Sequence, residues 1–161
     1  MKISQINSFA AAVIVLTTLS LGQEEHEKKI QQSDLPPAVQ QTVAKEKGGF
    51  SISGFEQETE NGQTIYEAKF KIPGSPNKTD KSIGMDANGS IIEVEEVIAK
   101  SALPTAVLQG LNAQAANGKI VKFKTITKNG QLVAYEANVM KDGKKSEVQV
   151  GPDGKPLGHE E

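Results

Sequence analysis

Asn129-Gly130-Gln131-Leu132-Val133-Ala134-Tyr135-Glu136-Ala137 decides the fold, because nearly the same words, Asn61-Gly62-Gln63-Thr64-Ile65-Tyr66-Glu67-Ala68, stand earlier in the chain. In both stretches an Asn-Gly pair, which tolerates the positive φ angles of a tight type I′ turn, opens a run alternating buried and exposed side chains. That combination marks a β-hairpin. Working outward, Leu103-Pro104 stands sixty-eight positions after Leu35-Pro36, and the offset holds at Ala106, Val107, Gln109, Phe123, Asn129, Gly130 and Gln131. After one inserted residue, Tyr135, Glu136 and Ala137 match Tyr66, Glu67 and Ala68. Only about one aligned position in sixteen agrees by chance at ordinary residue frequencies, so a shared ancestry of the two halves is the simpler explanation.

Each half reads as one helix followed by an antiparallel meander. In the first, Ser33-Asp34-Leu35-Pro36-Pro37 offers a cap and first-turn prolines; Leu35, Val39 and Val43 form an apolar stripe, and Gly48-Gly49 ends the helix. Strands are expected near 51–58, 63–72, 81–85 and 90–97, joined by Asn61-Gly62, the longer loop 74–80 and Asn88-Gly89. In the second half the helix stripe is Leu103, Val107 and Leu111, closed by Asn117-Gly118. Its strands are expected near 119–128, 131–141, 144–150 and 155–158, with turns at Asp142-Gly143 and Pro152-Asp153-Gly154. The fold class is α+β: α-β-β-β-β twice, sharing one curved sheet with the helices on one face.

Period-two alternation sorts the faces. Tyr66, Ala68, Phe70 and Ile72, and in the second half Val133, Tyr135, Ala137 and Val139, are expected beneath the helices, with Tyr135 a large buried aromatic. Glu67, Lys69 and Lys71, with Glu136 and Asn138, fall on the opposite, open face.

Composition narrows the class. The formal charge is −2, the pI is near 5.8, and all 18 basic residues are Lys. Without Arg there is no bidentate phosphate or carboxylate clamp, and without a basic excess there is no electrostatic footprint for nucleic acid. The chain has no Cys, which excludes disulfides and thiolate chemistry. At the start, Lys2 precedes an apolar run over 9–21 and small residues at Ser20 and Gly22, the order of a secretory signal peptide. The run is too short for a retained anchor, because a span needs about 20 apolar residues. The expected organisation is a signal peptide at 1–22, a flexible leader at 23–32, repeats at 33–98 and 99–158, and a tail at 159–161.

Taken together, the Leu-Pro helix start, Ile65-Tyr66-Glu67-Ala68-Lys69-Phe70, Ile83-Gly84-Met85-Asp86-Ala87-Asn88-Gly89 and Ile91-Ile92-Glu93-Val94-Glu95 resemble the PepSY-like, β-lactamase-inhibitor-like (BLIP-like) group. Tyr135-Glu136-Ala137-Asn138-Val139 and Val148-Gln149-Val150-Gly151-Pro152-Asp153-Gly154-Lys155 resemble it again in the second half. The resemblance implies a secreted or periplasmic bacterial protein of tandem helix-plus-sheet units that binds or restrains a hydrolase of peptidase or β-lactamase type. It carries over no catalytic residues.

The residues offer little chemistry of their own. Glu56, Glu58 and Glu60 alternate along one strand and Glu93, Glu95 and Glu96 end another, a pattern that solvent-facing strands explain without a cation site. The histidines, His26 and His159, lie in the tails, so Ser51, Ser53, Ser82 and Ser146 have no visible base. Asp86-Ala87-Asn88-Gly89 is a hairpin turn, since an EF-hand needs its glycine at position six and a glutamate at position twelve. The expectation is therefore a non-catalytic exported module, without cofactor or metal, whose open face meets another protein through Glu67, Lys69, Lys122, Lys124, Glu136 and Asn138. The rival is an envelope sensor of a small ligand or cation that uses the surface carboxylates.

Overall fold

The computed structural model describes residues 28–60, 62–158 and 161. The expected signal peptide at 1–22, the leader through residue 27 with His26, the turn residue Asn61, and His159-Glu160 lie outside the described residues. Eight strands form one antiparallel sheet in simple sequence order: β1 (Lys28–Ile30), β2 (Ser51–Glu60), β3 (Gln63–Lys71), β4 (Lys81–Met85), β5 (Ile91–Ile98), β6 (Lys119–Lys128), β7 (Gln131–Lys141) and β8 (Lys144–Val150). Helix α1 (Pro37–Glu46) joins β1 to β2, and α2 (Thr105–Gln114) joins β5 to β6. The architecture is α+β, and both helices cover one face.

Apolar residues at alternating positions account for that arrangement. Val39 and Val43 of α1 are buried against Phe55, Ala68, Phe70, Ile83 and Met85, whereas Val107 and Leu111 of α2 are buried against Ala137 and Val150. Phe50 meets Phe70 edge to face, with ring centroids 6.2 Å apart. The hairpin turns also act as seats for the helices. Gly89 (φ 78°) and Gly154 (φ 80°) let their turns press onto the first turns of α1 and α2, where an added Cβ would stand 2.6 Å from the Ala38 carbonyl oxygen and 2.3 Å from that of Ala106. Thr42 Oγ1 donates to the Gly89 carbonyl at 2.7 Å and fixes the first of these contacts.

Several expectations change. The leader 23–32 is not flexible to its end: residues 28–30 pair with 57–55 of β2, and Ile30 closes the edge of the first core. One apolar side chain in a polar run gives no periodicity to read. Helix α1 has no side-chain cap; Asp34 instead accepts from the Gln31 backbone N–H at 2.9 Å within a preceding 3-10 turn. The second half does not form its fourth strand. Over 155–158 there is a single bridge, Val150 to Pro156, where proline has no N–H to extend a ladder. The layout is therefore one helix with four strands followed by one helix with three, not α-β-β-β-β twice, in a single sheet where β5 lies between β4 and β6. Tyr66 and Tyr135 are only partly buried, and Ile72, beyond the end of β3, is 50% exposed. Finally, the residue inserted after the second Asn-Gly-Gln, before Tyr135, is Val133, which sits in a β-bulge where Leu132 faces Thr127 and Ala134 faces Ile126.

Phe70, rather than Tyr135, is thus the central aromatic. Phe70→Ala should lower the unfolding free energy by about 3–5 kcal/mol, the range for deleting a buried aromatic, and Tyr135→Ala by clearly less. Urea midpoints of the two variants check this order.

Candidate functional site

On the face away from the helices, the register sets charged side chains in rows that run across the strands. One row reads Glu56, Glu67, Gly84, Glu93, Lys128; the next reads Lys69, Ser82, Glu95, Ile126; a third reads Val97, Lys124, Glu136, Gln149; and a fourth reads Lys122, Asn138, Glu147. Small residues in the middle, Gly84, Ser82 and Ala134, leave room above the sheet. The result is a basin of about 540 Å³ lined by eight glutamates (Glu56, Glu58, Glu67, Glu93, Glu95, Glu136, Glu147 and Glu161) and by Lys69 and Lys128. A smaller hollow of about 220 Å³ adjoins it, lined by Glu67, Lys69, Lys122, Lys124, Asn138 and the loop residues Thr79 and Asp80.

The six residues expected on this face are therefore all brought to it, with Glu136 lining the larger basin and the other five the smaller hollow. The face is not simply solvated, however. Glu56 is buried, so the reading of the alternating glutamates as a solvent-facing pattern fails at that residue, and Glu136, expected on the open face, is only 2% exposed. Sequence spacing places a side chain on a face but does not show how neighbouring strands close over it. Glu147, Gln149 and Lys128 are members that the sequence reading does not single out; the alternation Lys145, Glu147, Gln149 in β8 carries the signal for two of them. The expected tail is also engaged at its end. The Glu161 N–H donates to Gln149 Oε1 at 2.8 Å, and its carboxylate lies 3.5 Å from Lys128.

Two lysines organise the charges. Lys69 pairs with Glu56 and, at 3.1 Å, with Glu67. Lys124 stands 2.6 Å from Glu136, 3.0 Å from Glu95 and 3.8 Å from Glu147. Burial by itself would push the Lys124 ammonium down, but the surrounding carboxylates of Glu95 and Glu136 hold it well above the ordinary lysine range. The acids outnumber the cations, and two of them show it. Burial raises the Glu67 carboxyl despite Lys69, and burial together with repulsion from Glu136 raises that of Glu147.

At the rim, Asp80 holds the long loop between β3 and β4. Its carboxylate accepts from the Ile72 N–H at 2.8 Å, from Ser75 Oγ at 2.7 Å and from Asn77 Nδ2 at 2.7 Å. Desolvation would raise Asp80, but these hydrogen bonds and the nearby Lys122 charge outweigh it and lower its pKa. Among the described residues no group of three acidic or histidine side chains has the arrangement of a metal-ligand set.

With that geometry established, known proteins give likeness in fold. No family model matches the chain, and no curated protein matches it in sequence. Among solved structures it is similar to a candidate periplasmic protein from Bacteroides eggerthii, with 17% identity, 76% of this chain and 86% of that one covered, and a TM-score of 0.56. It is also similar to a DUF2874 family protein from Bacteroides ovatus, with 19% identity, 76% and 84% covered, and a TM-score of 0.54.

Three outcomes are expected. Glu136→Gln, which removes the nearest carboxylate of the partly buried Lys124, should cost about 1–3 kcal/mol, the range for losing a partner of a charged group. Glu147→Gln should leave the melting temperature at pH 7 unchanged or higher, because a carboxyl whose pKa is raised by folding is more costly to ionise in the folded state. Thermal melts of both variants in dilute solution decide this. For Asp80 the sign is opposite: its pKa is lowered by folding, so its contribution is present above its ordinary value of 3.8 and is lost as pH falls through the folded value. Asp80→Asn should therefore lower the melting temperature at pH 7 and flatten its fall in acid.

Proposed function

We propose that the protein is an exported, non-catalytic binding module whose charged sheet face meets another protein. The observation that carries this reading is the basin itself. A surface of carboxylates and lysines is held in fixed rows by an eight-stranded sheet, with Glu56 and Glu136 buried beside the partly exposed Lys69 and Lys124. Rigid, mixed-charge surfaces of this kind select partners by electrostatic complementarity and speed their encounter. The signal-like order of residues 1–22 and the likeness to a candidate periplasmic protein support a periplasmic or secreted location. The PepSY-like, β-lactamase-inhibitor-like resemblance supports a hydrolase as the partner and inhibition or restraint as the effect. Inhibition rests on that resemblance alone.

The cation-sensing rival has one favouring observation, the raised carboxyls of Glu67 and Glu147, which a bound cation would relieve. It has no converged ligand set among the described residues. A calcium-dependent rise in melting temperature, growing with concentration as binding to the native state requires, would support it over the protein-binding reading.

The test is capture from the organism's envelope and secreted fractions on the immobilised protein, with a Glu93→Lys/Lys122→Glu variant as control. Both positions lie on the charged face, and the exchange keeps the net charge. A genuine partner should be retained by the native protein and bind the variant at least about tenfold more weakly, the scale of a charge-dependent interface. Undiminished binding to the variant would remove the face from the proposal.

A further inference from the structure

We propose that β8 is a dimerisation edge: its segment 144–148 pairs antiparallel with the same segment of a second copy about a two-fold axis at Ser146. The sheet ends at β8, which pairs with β7 on one side. On the other side Val150 bridges Pro156, and the Gln149 side chain is hydrogen-bonded to the Glu161 backbone, so the last two residues of the strand are covered. Residues 144–147 are exposed, and among the described residues no strand lies beside them.

The backbone directions fix which residues can pair. Asp142 (φ 50°) and Gly143 (φ 76°) form the two-residue turn between Lys141 and Lys144, which makes those two a hydrogen-bonded pair. Alternation then aims the backbone groups of 144, 146, 148 and 150 at β7 and those of 145 and 147 outward. The bond from the Gly151 N–H to the Lys155 carbonyl, 2.8 Å, continues the outward set. A two-fold axis at Ser146 sets Lys145 of each copy opposite Glu147 of the other. Each such pair exchanges both backbone hydrogen bonds and places an ammonium beside a carboxylate on the charged face. An axis at Lys145 or at Glu147 would set like charges face to face, and the latter would also need the covered Gln149.

The same residues explain why the partner is a second copy and not any strand. Lysines along an exposed edge repel most incoming strands. Acceptance therefore requires a carboxylate in register with Lys145, which this strand supplies to itself. Glu147 accepts from Asn138 Nδ2, but it lies near Glu136 and its nearest lysine on this chain, Lys124, is 3.8 Å away, so it gains from a second cation. The pairing would join the two sheets edge to edge and make their charged basins continuous across the axis.

Because the chain has no cysteine, Ser146→Cys provides a direct test. Directly opposed residues of a non-hydrogen-bonded antiparallel pair are about 4.5 Å apart at Cα, within disulfide reach. Mild oxidation should yield a covalent dimer from Ser146→Cys and not from Leu132→Cys, which is also exposed but lies on β7. In sedimentation equilibrium up to about 1 mM, a range that captures weak association, the native mass should rise from one chain towards two. Lys145→Glu should remain monomeric, and the exchange Lys145→Glu/Glu147→Lys should restore association. Unchanged melting temperature confirms that Lys145→Glu is folded. A native protein that stays monomeric throughout, a dimer that survives Lys145→Glu, or cross-linking equal at 146 and 132 would overturn the proposal.

Discussion

In a sheet whose strands follow one another without a crossover, each side chain belongs to one of two faces, and this constraint governs the rest of the molecule. The helices take one face because Val39, Val43, Val107 and Leu111 need apolar cover, and Phe70, Ile83, Ala137 and Val150 supply it. Everything of the opposite parity must then share the other face. Glu67, Lys69, Glu95, Lys124 and Glu136 are adjacent for that reason as much as for their mutual attraction. The bulges at Val121 and Val133 shift the pairing by single residues, so that the rows still line up across β6 and β7.

The charged face follows from the excess of acids that the register gathers. Lys69 and Lys124 each answer more than one carboxylate, and burial, with repulsion from neighbouring glutamates, raises the proton affinities of Glu67 and Glu147. Such a face is held in place by the sheet and is only partly neutralised by its own lysines. Those are the properties of a surface shaped for complementary charge, and they tie the proposed binding role to the packing of the opposite side.

Much of this was legible in the sequence because it depends on local chemistry. Asn-Gly and Asp-Gly pairs fix hairpins, period-two alternation fixes faces, and four-residue spacing fixes the helix stripes, so most strands and both helices fall where those signals put them. What was not legible depends on distant residues. Ile30 becomes part of a strand because Phe55 is there to receive it, and Pro156 ends the pairing that the pattern of 155–158 offers. For the site, each of the six expected residues could be assigned a side of the sheet from its own strand. The burial of Glu136 and the recruitment of Glu147, Lys128 and Glu161 required knowing which strands lie next to which.

The sequential strand order also has a kinetic meaning. Nearly all pairings join neighbours along the chain, so little loop-closure entropy opposes any single one, and contact order is low for a protein with this much sheet. The two apolar clusters, one under each helix, are separate bodies of contact linked through β5 and β6. In a molecule built this way, local opening is confined by the cluster in which it starts, while the continuous sheet still joins both clusters in one cooperative unfolding.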